Sequence, residues 1–119
     1  MATSTKFTLH DKEQVGLVES VSEEVLRLGA DDWVSFAAIE GAWTRRGSIT
    51  PRAHAIETIR ELMTNSAGRI GVYVNGEGLV RWDISPDEAA ERIESYFGAA
   101  QGRDYINASM ELMLDVYPG

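Results

Sequence analysis

The 119-residue chain predicts an α+β fold, mainly helical, on three observations. Apolar residues recur at helical spacing in several separate stretches. An alternating segment centred on Asn75-Gly76 then has the pattern of a β-hairpin. Directly after it, Ser85-Pro86-Asp87-Glu88 combines a serine cap, a proline at the first helical position and a glutamate three residues on.

The first helix is expected from about Asp11 to Leu28. Val15, Val18, Val21 or Ser22, Val25 and Leu28 form its apolar stripe, and Gly29 suits a left-handed residue after the last turn. Glu23 and Arg27 stand four apart in the favourable order. Trp33 to Ser35 reads as a short strand, with Ser35 capping a second helix from Phe36 to about Arg46. Its buried face is Ala38, Ile39, Ala42 and Trp43, and Gly47 ends it. Trp33, Phe36 and Trp43 could suggest an aromatic ligand box, but this spacing suits core packing better.

Thr50-Pro51 opens a third helix, with Thr50 as cap, and Ile56, Ile59, Leu62 and Met63 turn inward through about Asn65. Arg52 and Arg60 are expected to point outward. The hairpin occupies 69–83, with Ile70, Val72 and Val74 on one face and Leu79 to Trp82 returning. Asn75-Gly76 is expected to supply the positive backbone angles that a tight hairpin turn needs, and Gly78 allows a bulge or longer loop. An added acidic helix covers 86–100, its stripe formed by Ala89, Ala90, Ile93, Tyr96, Phe97 and Ala100. In the tail, Met110, Leu112, Leu114 and Val116 alternate with Glu111 and Asp115. That predicts a strand that could join the hairpin, with a short helix from Asn107 as the alternative. Residues 1–8 read as a loose arm or edge strand, and the whole chain as one domain.

Composition restricts function. With no cysteine, neither a disulfide framework nor a thiolate metal site is available, which fits a reducing cytoplasm. No apolar run approaches a membrane span, and the start lacks a signal-peptide core, so a cytoplasmic protein is expected. Net charge is −8 and unevenly spread. Residues 1–40 carry three basic and eight acidic side chains, residues 41–81 six and three, and residues 82–119 two and eight. Such a field steers toward basic partners and leaves phosphate contact plausible only in the middle.

The order helix, short strand, helix, helix, hairpin resembles winged-helix domains: three helices and a β-hairpin wing, here followed by the acidic helix and a C-terminal strand. The stretch IRELMTNSAGRIGVYV resembles their passage from third helix to wing. Trp82-Asp83, Ser85-Pro86-Asp87-Glu88 and Gly102-Arg103-Asp104 resemble small acidic actinobacterial proteins, similar in size and charge to toxin-immunity proteins. The tail YINASMELMLDVYPG departs from the Trp-containing end of those proteins.

Catalysis finds little support. His10 and His54 have no acid at triad spacing, and no phosphate-cradling loop ending in Lys-Ser/Thr is present. Asn75-Gly76-Glu77-Gly78 opens no helix, so it is no dinucleotide fingerprint. No cofactor is expected. Asp87, Glu91 and Glu94 share a helix face and could hold a hard cation, but a solvated charged face is the plainer reading and no metal is expected.

Two binding classes remain. Asp83, Asp87, Glu91 and Glu94, with a second acidic group at Glu19, Glu23 and Glu24, would attract a basic protein. Its most specific form is an immunity or antitoxin-like inhibitor that occludes a basic toxin. The alternative is a winged-helix DNA-binding regulator using Arg45, Arg46, Arg52 and Arg60, with Arg69 and Arg81 flanking the wing. Against it stand Glu77 at the wing tip and the acidic flanks. An exposed edge of the wing or tail strand could also pair two copies.

Overall fold

A computed structural model describes residues 12–117, with side chains from Gly16 onward. The expected arm at 1–8, His10 and the helix start at Asp11 lie outside the described residues. Five helices and four strands follow in the order α1 (Lys12–Leu28), β1 (Val34–Ser35), α2 (Phe36–Arg45), α3 (Pro51–Thr64), β2 (Gly68–Val74), β3 (Gly78–Arg81), α4 (Pro86–Phe97), α5 (Arg103–Glu111) and β4 (Leu112–Val116). The strands form one antiparallel sheet of order β1-β4-β2-β3.

Val18, Val21 and Val25 of α1 are buried on one stripe, as their spacing predicts, while Leu28 is exposed. Gly29 is not left-handed. Its φ is ordinary, but an added Cβ would lie 1.9 Å from Val116 Cγ2, so a close approach of β4 requires glycine here. In α2 the Ser35 hydroxyl accepts from the Ala38 N–H at 3.1 Å, the expected cap. Phe36, Ile39, Ala42 and Trp43 are buried, while Trp33 stays partly exposed beside Tyr73. Gly47, at φ +86, closes α2 in a Schellman arrangement, with Gly47 N–H on Thr44 O and Ser48 N–H on Trp43 O.

Pro51 starts α3, but Thr50 makes no side-chain cap. The Ser48 hydroxyl instead accepts from the Thr50 N–H at 3.1 Å and lies 2.5 Å from His54 Nδ1. At the other end the same Schellman pattern recurs with Ser66 at φ 56, a left-handed conformation that L-residues disfavour. Every residue from Pro51 to Met63 is buried or half-buried. The helix packs against α1, α2, α4 and β2, which makes it the central helix of the fold.

The hairpin forms in the expected place. The Glu77 N–H donates to Val74 O at 3.0 Å, and positive φ falls on Gly76 and Gly78, not on Asn75. Glycine at the third turn position is what a type II turn needs. Ser85 and Glu88 form the full capping box, worth about 1 kcal/mol. Helix α4 ends at Phe97, short of the expected Ala100, because Gly98 turns to φ 52 and ψ −126. The tail contains a helix and then a strand. The helix starts at Arg103 rather than Asn107 and takes in Met110, which is exposed and not part of the strand's inward face. Gly102, at φ 59, opens α5, and Leu112 begins β4.

Leu112, Leu114 and Val116 turn inward beside Ile70 and Val34. Strand β4 joins the hairpin as predicted, but on the β2 side, where it separates β1 from the hairpin. Strand β2 pairs one edge of β4 along its length, and β1 takes Met113 and Leu114 on the other. Phe36 packs tilted on Phe97 at 4.9 Å and Phe97 stacks on Tyr105 at 4.7 Å, which ties α2, α4 and α5 together.

Candidate partner-binding surface

Helices α3 and α4 run antiparallel, and their charged residues meet in pairs. Arg60 Nη1 lies 3.0 Å from Asp87 Oδ1 while Nη2 contacts Glu57 at 2.7 Å. Arg52 Nη2 lies 3.0 Å from Glu94 Oε1. Arg52 and Arg60 thus do not project freely outward; they clasp the helix beside them. Arg45 and Arg46 both pair with Glu24 of α1, the latter at 2.9 Å. Burial pulls the Glu24 carboxyl upward, but the Arg46 hydrogen bond and both guanidinium charges outweigh it and hold it below the ordinary range. All four arginines of the DNA-binding alternative are therefore engaged with carboxylates.

The four acids expected to bind a partner divide in the same way. Asp87 and Glu94 are shared with Arg60 and Arg52, whereas Asp83 and Glu91 are exposed on and beside α4. Ion pairing draws Asp87 and Glu94 toward α3. Among the described residues no group of three His, Asp or Glu converges on a common point. Of the flanking arginines, Arg81 pairs with Asp115 at 2.6 Å and Arg69 is exposed.

The acids of α1 fare differently. Glu19 and Glu23, one turn apart, stand with Glu61 of α3 around a groove of about 390 Å³. Val18, Leu26, Leu62 and Ala67 contribute its apolar part, Ser22 and Asn65 complete the described lining, and no basic residue is included among the described residues. Glu61 follows Arg60 in sequence but points to a different side of α3, so the groove lies against α1 while Arg60 turns to α4. The sequence reading named Glu19 and Glu23 but not Glu61. Nothing local identifies Glu61, because its partners come from a helix some forty residues away.

A second cluster escaped the sequence entirely. The Tyr105 hydroxyl donates to Glu40 Oε2 at 2.5 Å, and Arg52 lies 4.9 Å over the Phe97 ring and 5.7 Å from that of Tyr105. Burial pushes the Glu40 carboxyl up, partly offset by that hydrogen bond and by Arg52. Burial and the bond to Glu40 likewise raise Tyr105. Glu40 and Tyr105 are 65 residues apart, so no spacing rule could join them. His54 stacks on Trp43 at 4.3 Å, and burial lowers its affinity for a proton.

No protein-family model, curated protein or solved structure matches the chain.

Proposed function

We infer that this chain is a non-catalytic binding module for a basic protein. The α1–α3 groove carries the reading: three carboxylates border an apolar floor with no cation among the described residues that line it. That combination suits an amphipathic segment whose apolar side chains fill the floor while lysines or arginines reach Glu19, Glu23 and Glu61. Asp83 and Glu91 extend the negative field along α4, with Asp87 and Glu94 already neutralised in part. The most specific form is an immunity or antitoxin-like inhibitor acting in the cytoplasm, since toxins that cleave nucleic acid present basic clefts to a carboxylate-rich surface.

A winged-helix regulator is the weaker reading. Its element order supports it through the hairpin, but a reading helix must expose a face to the major groove. Here every residue of α3 from Pro51 to Met63 is buried or half-buried, and Arg45, Arg46, Arg52 and Arg60 would have to leave carboxylates before touching phosphate.

A labelled Leu/Lys amphipathic helical peptide, followed by fluorescence anisotropy, tests the inference. Binding should weaken at least about tenfold between 50 and 300 mM salt, and similarly on the double substitution Glu23→Lys, Glu61→Lys. A scrambled peptide of equal charge binding equally well would sink the groove reading.

A further inference from the structure

Where α3 passes into β2, the chain closes a pocket of about 290 Å³ against the segment that joins β3 to α4. Met63, Trp82, Ile84 and Pro86 are half-buried and supply its apolar floor. The turn after α3 places Ser66, at φ 56, in the lining, and the Tyr117 N–H donates to Ala67 O at 2.7 Å, which holds Tyr117 beside it. A left-handed serine persists only where its surroundings over-determine it, and such residues cluster at ligand clamps.

Two opposite charges complete the described lining, Arg69 from β2 and Asp83 from the joining segment. Arg45, Arg46, Arg52, Arg60 and Arg81 are all ion-paired, whereas no salt bridge among the described residues engages Arg69 or Asp83. The two share one pocket without meeting each other, so the space between them has a positive end and a negative end. We propose that this pocket binds a free α-amino acid with an apolar side chain.

The Arg69 guanidinium presents paired N–H donors to a carboxylate, and Asp83 accepts from an ammonium. An amino acid carries both groups on one carbon, so it bridges the gap that these two side chains leave open. Its own side chain then covers the Met63, Trp82 and Ile84 floor, where burial of apolar surface favours leucine or phenylalanine over glycine. Size agrees. Small-molecule pockets begin near roughly 300 Å³, so a volume of about 290 Å³ suits a single amino acid rather than a larger ligand. Arg69 and Asp83 are both exposed and solvent screens what each contributes, so dissociation in the millimolar range is expected. The α1–α3 groove uses Glu61 and Leu62 instead, so the two sites draw on different residues.

A titration of the full chain with L-leucine and with L-phenylalanine up to about 50 mM, followed by proton–nitrogen NMR, tests the site. At least one should move the Trp82 indole and the Ser66 and Arg69 amide signals along a saturating curve, with glycine at least about tenfold weaker. The matching amine and acid each lack one charge: phenethylamine and 3-phenylpropionate for phenylalanine, isopentylamine and 4-methylpentanoate for leucine. Each should bind at least about tenfold more weakly than the amino acid. Arg69→Gln and Asp83→Asn change exposed positions, so both should keep the parent's circular dichroism and lose affinity to the same degree. Saturable shifts absent with both amino acids overturn the proposal. So does an amine or acid that binds as tightly as its amino acid, or a folded Arg69→Gln or Asp83→Asn variant that binds like the parent.

Discussion

Replacing Gly71 by alanine measures how tightly the hairpin is drawn together. A Cβ there would lie 2.4 Å from the Val80 carbonyl oxygen and 2.8 Å from Arg81 Cα. Both are backbone atoms, so no rotamer change relieves the contact. Carbon–oxygen contacts rarely close below about 3.3 Å, so β3 must retreat by about 1 Å from the 2.4 Å position. A hydrogen bond of 2.9 Å, that of Trp82 to Ile70, does not survive such a shift. The Val72–Val80 bonds flanking Gly71 stretch with it. At about 1 kcal/mol for each bond, the expected loss is about 2–3 kcal/mol, a large share of the roughly 5–15 kcal/mol that holds a domain together. Urea unfolding followed by circular dichroism gives the energy, and amide exchange at Val72, Val80 and Trp82 locates it. A variant within about 0.5 kcal/mol of the parent, with those amides equally protected, would refute the reasoning.

Two further outcomes follow from backbone strain and burial. Ser66→Gly relieves a left-handed serine, a strain of roughly 1–2 kcal/mol, but adds chain entropy to the unfolded state, so a net gain of about 0.5 kcal/mol is expected in the urea midpoint; a loss would contradict the strain. Glu40→Gln keeps an acceptor for Tyr105 and removes a charge that burial disfavours. Because the folded-state pKa of Glu40 is raised, its contribution is present below the unfolded value of about 4.5 and is lost as pH rises through the folded value. The parent should therefore lose stability relative to the glutamine variant over a window that opens near pH 4.5. Parallel stability–pH curves for the two proteins would exclude that account.

What the sequence revealed was what local chemistry decides. Ser35 and the Ser85–Glu88 box mark two helix starts because a side-chain oxygen three residues from an orphan N–H leaves a visible pattern. Asn75-Gly76 placed the hairpin, though the positive angles went to Gly76 and Gly78. Positions settled by distant segments could not be read. Gly29 looked like a helix terminator, yet Val116 accounts for it. Arg52 and Arg60 looked solvent-facing because the packing of α4 against α3 leaves no trace in either helix alone. The tail was ambiguous because its period changes from 3.6 to 2 at Leu112, and each expectation captured one half. Among the candidate site residues, Glu19 and Glu23 were visible as a pair one turn apart, whereas Glu61 completes the groove only through tertiary contact.

The placement of β4 between β1 and β2 sets an order of assembly. Val34 and Ile70 share Leu114 as their cross-strand neighbour, so neither β1 nor the inner edge of β2 has a partner until residues 112–116 leave the ribosome. Helices α1 to α4 and the hairpin can form early from local contacts, but the sheet closes last, over a sequence separation of eighty residues between Val34 and Leu114. During synthesis the nascent chain would carry an open sheet gap lined by Val34 and Ile70, a surface that chaperones and other nascent chains recognise. A stop codon after Glu111 would leave that gap permanently unfilled, making the five residues of β4 the clasp on which the native state depends.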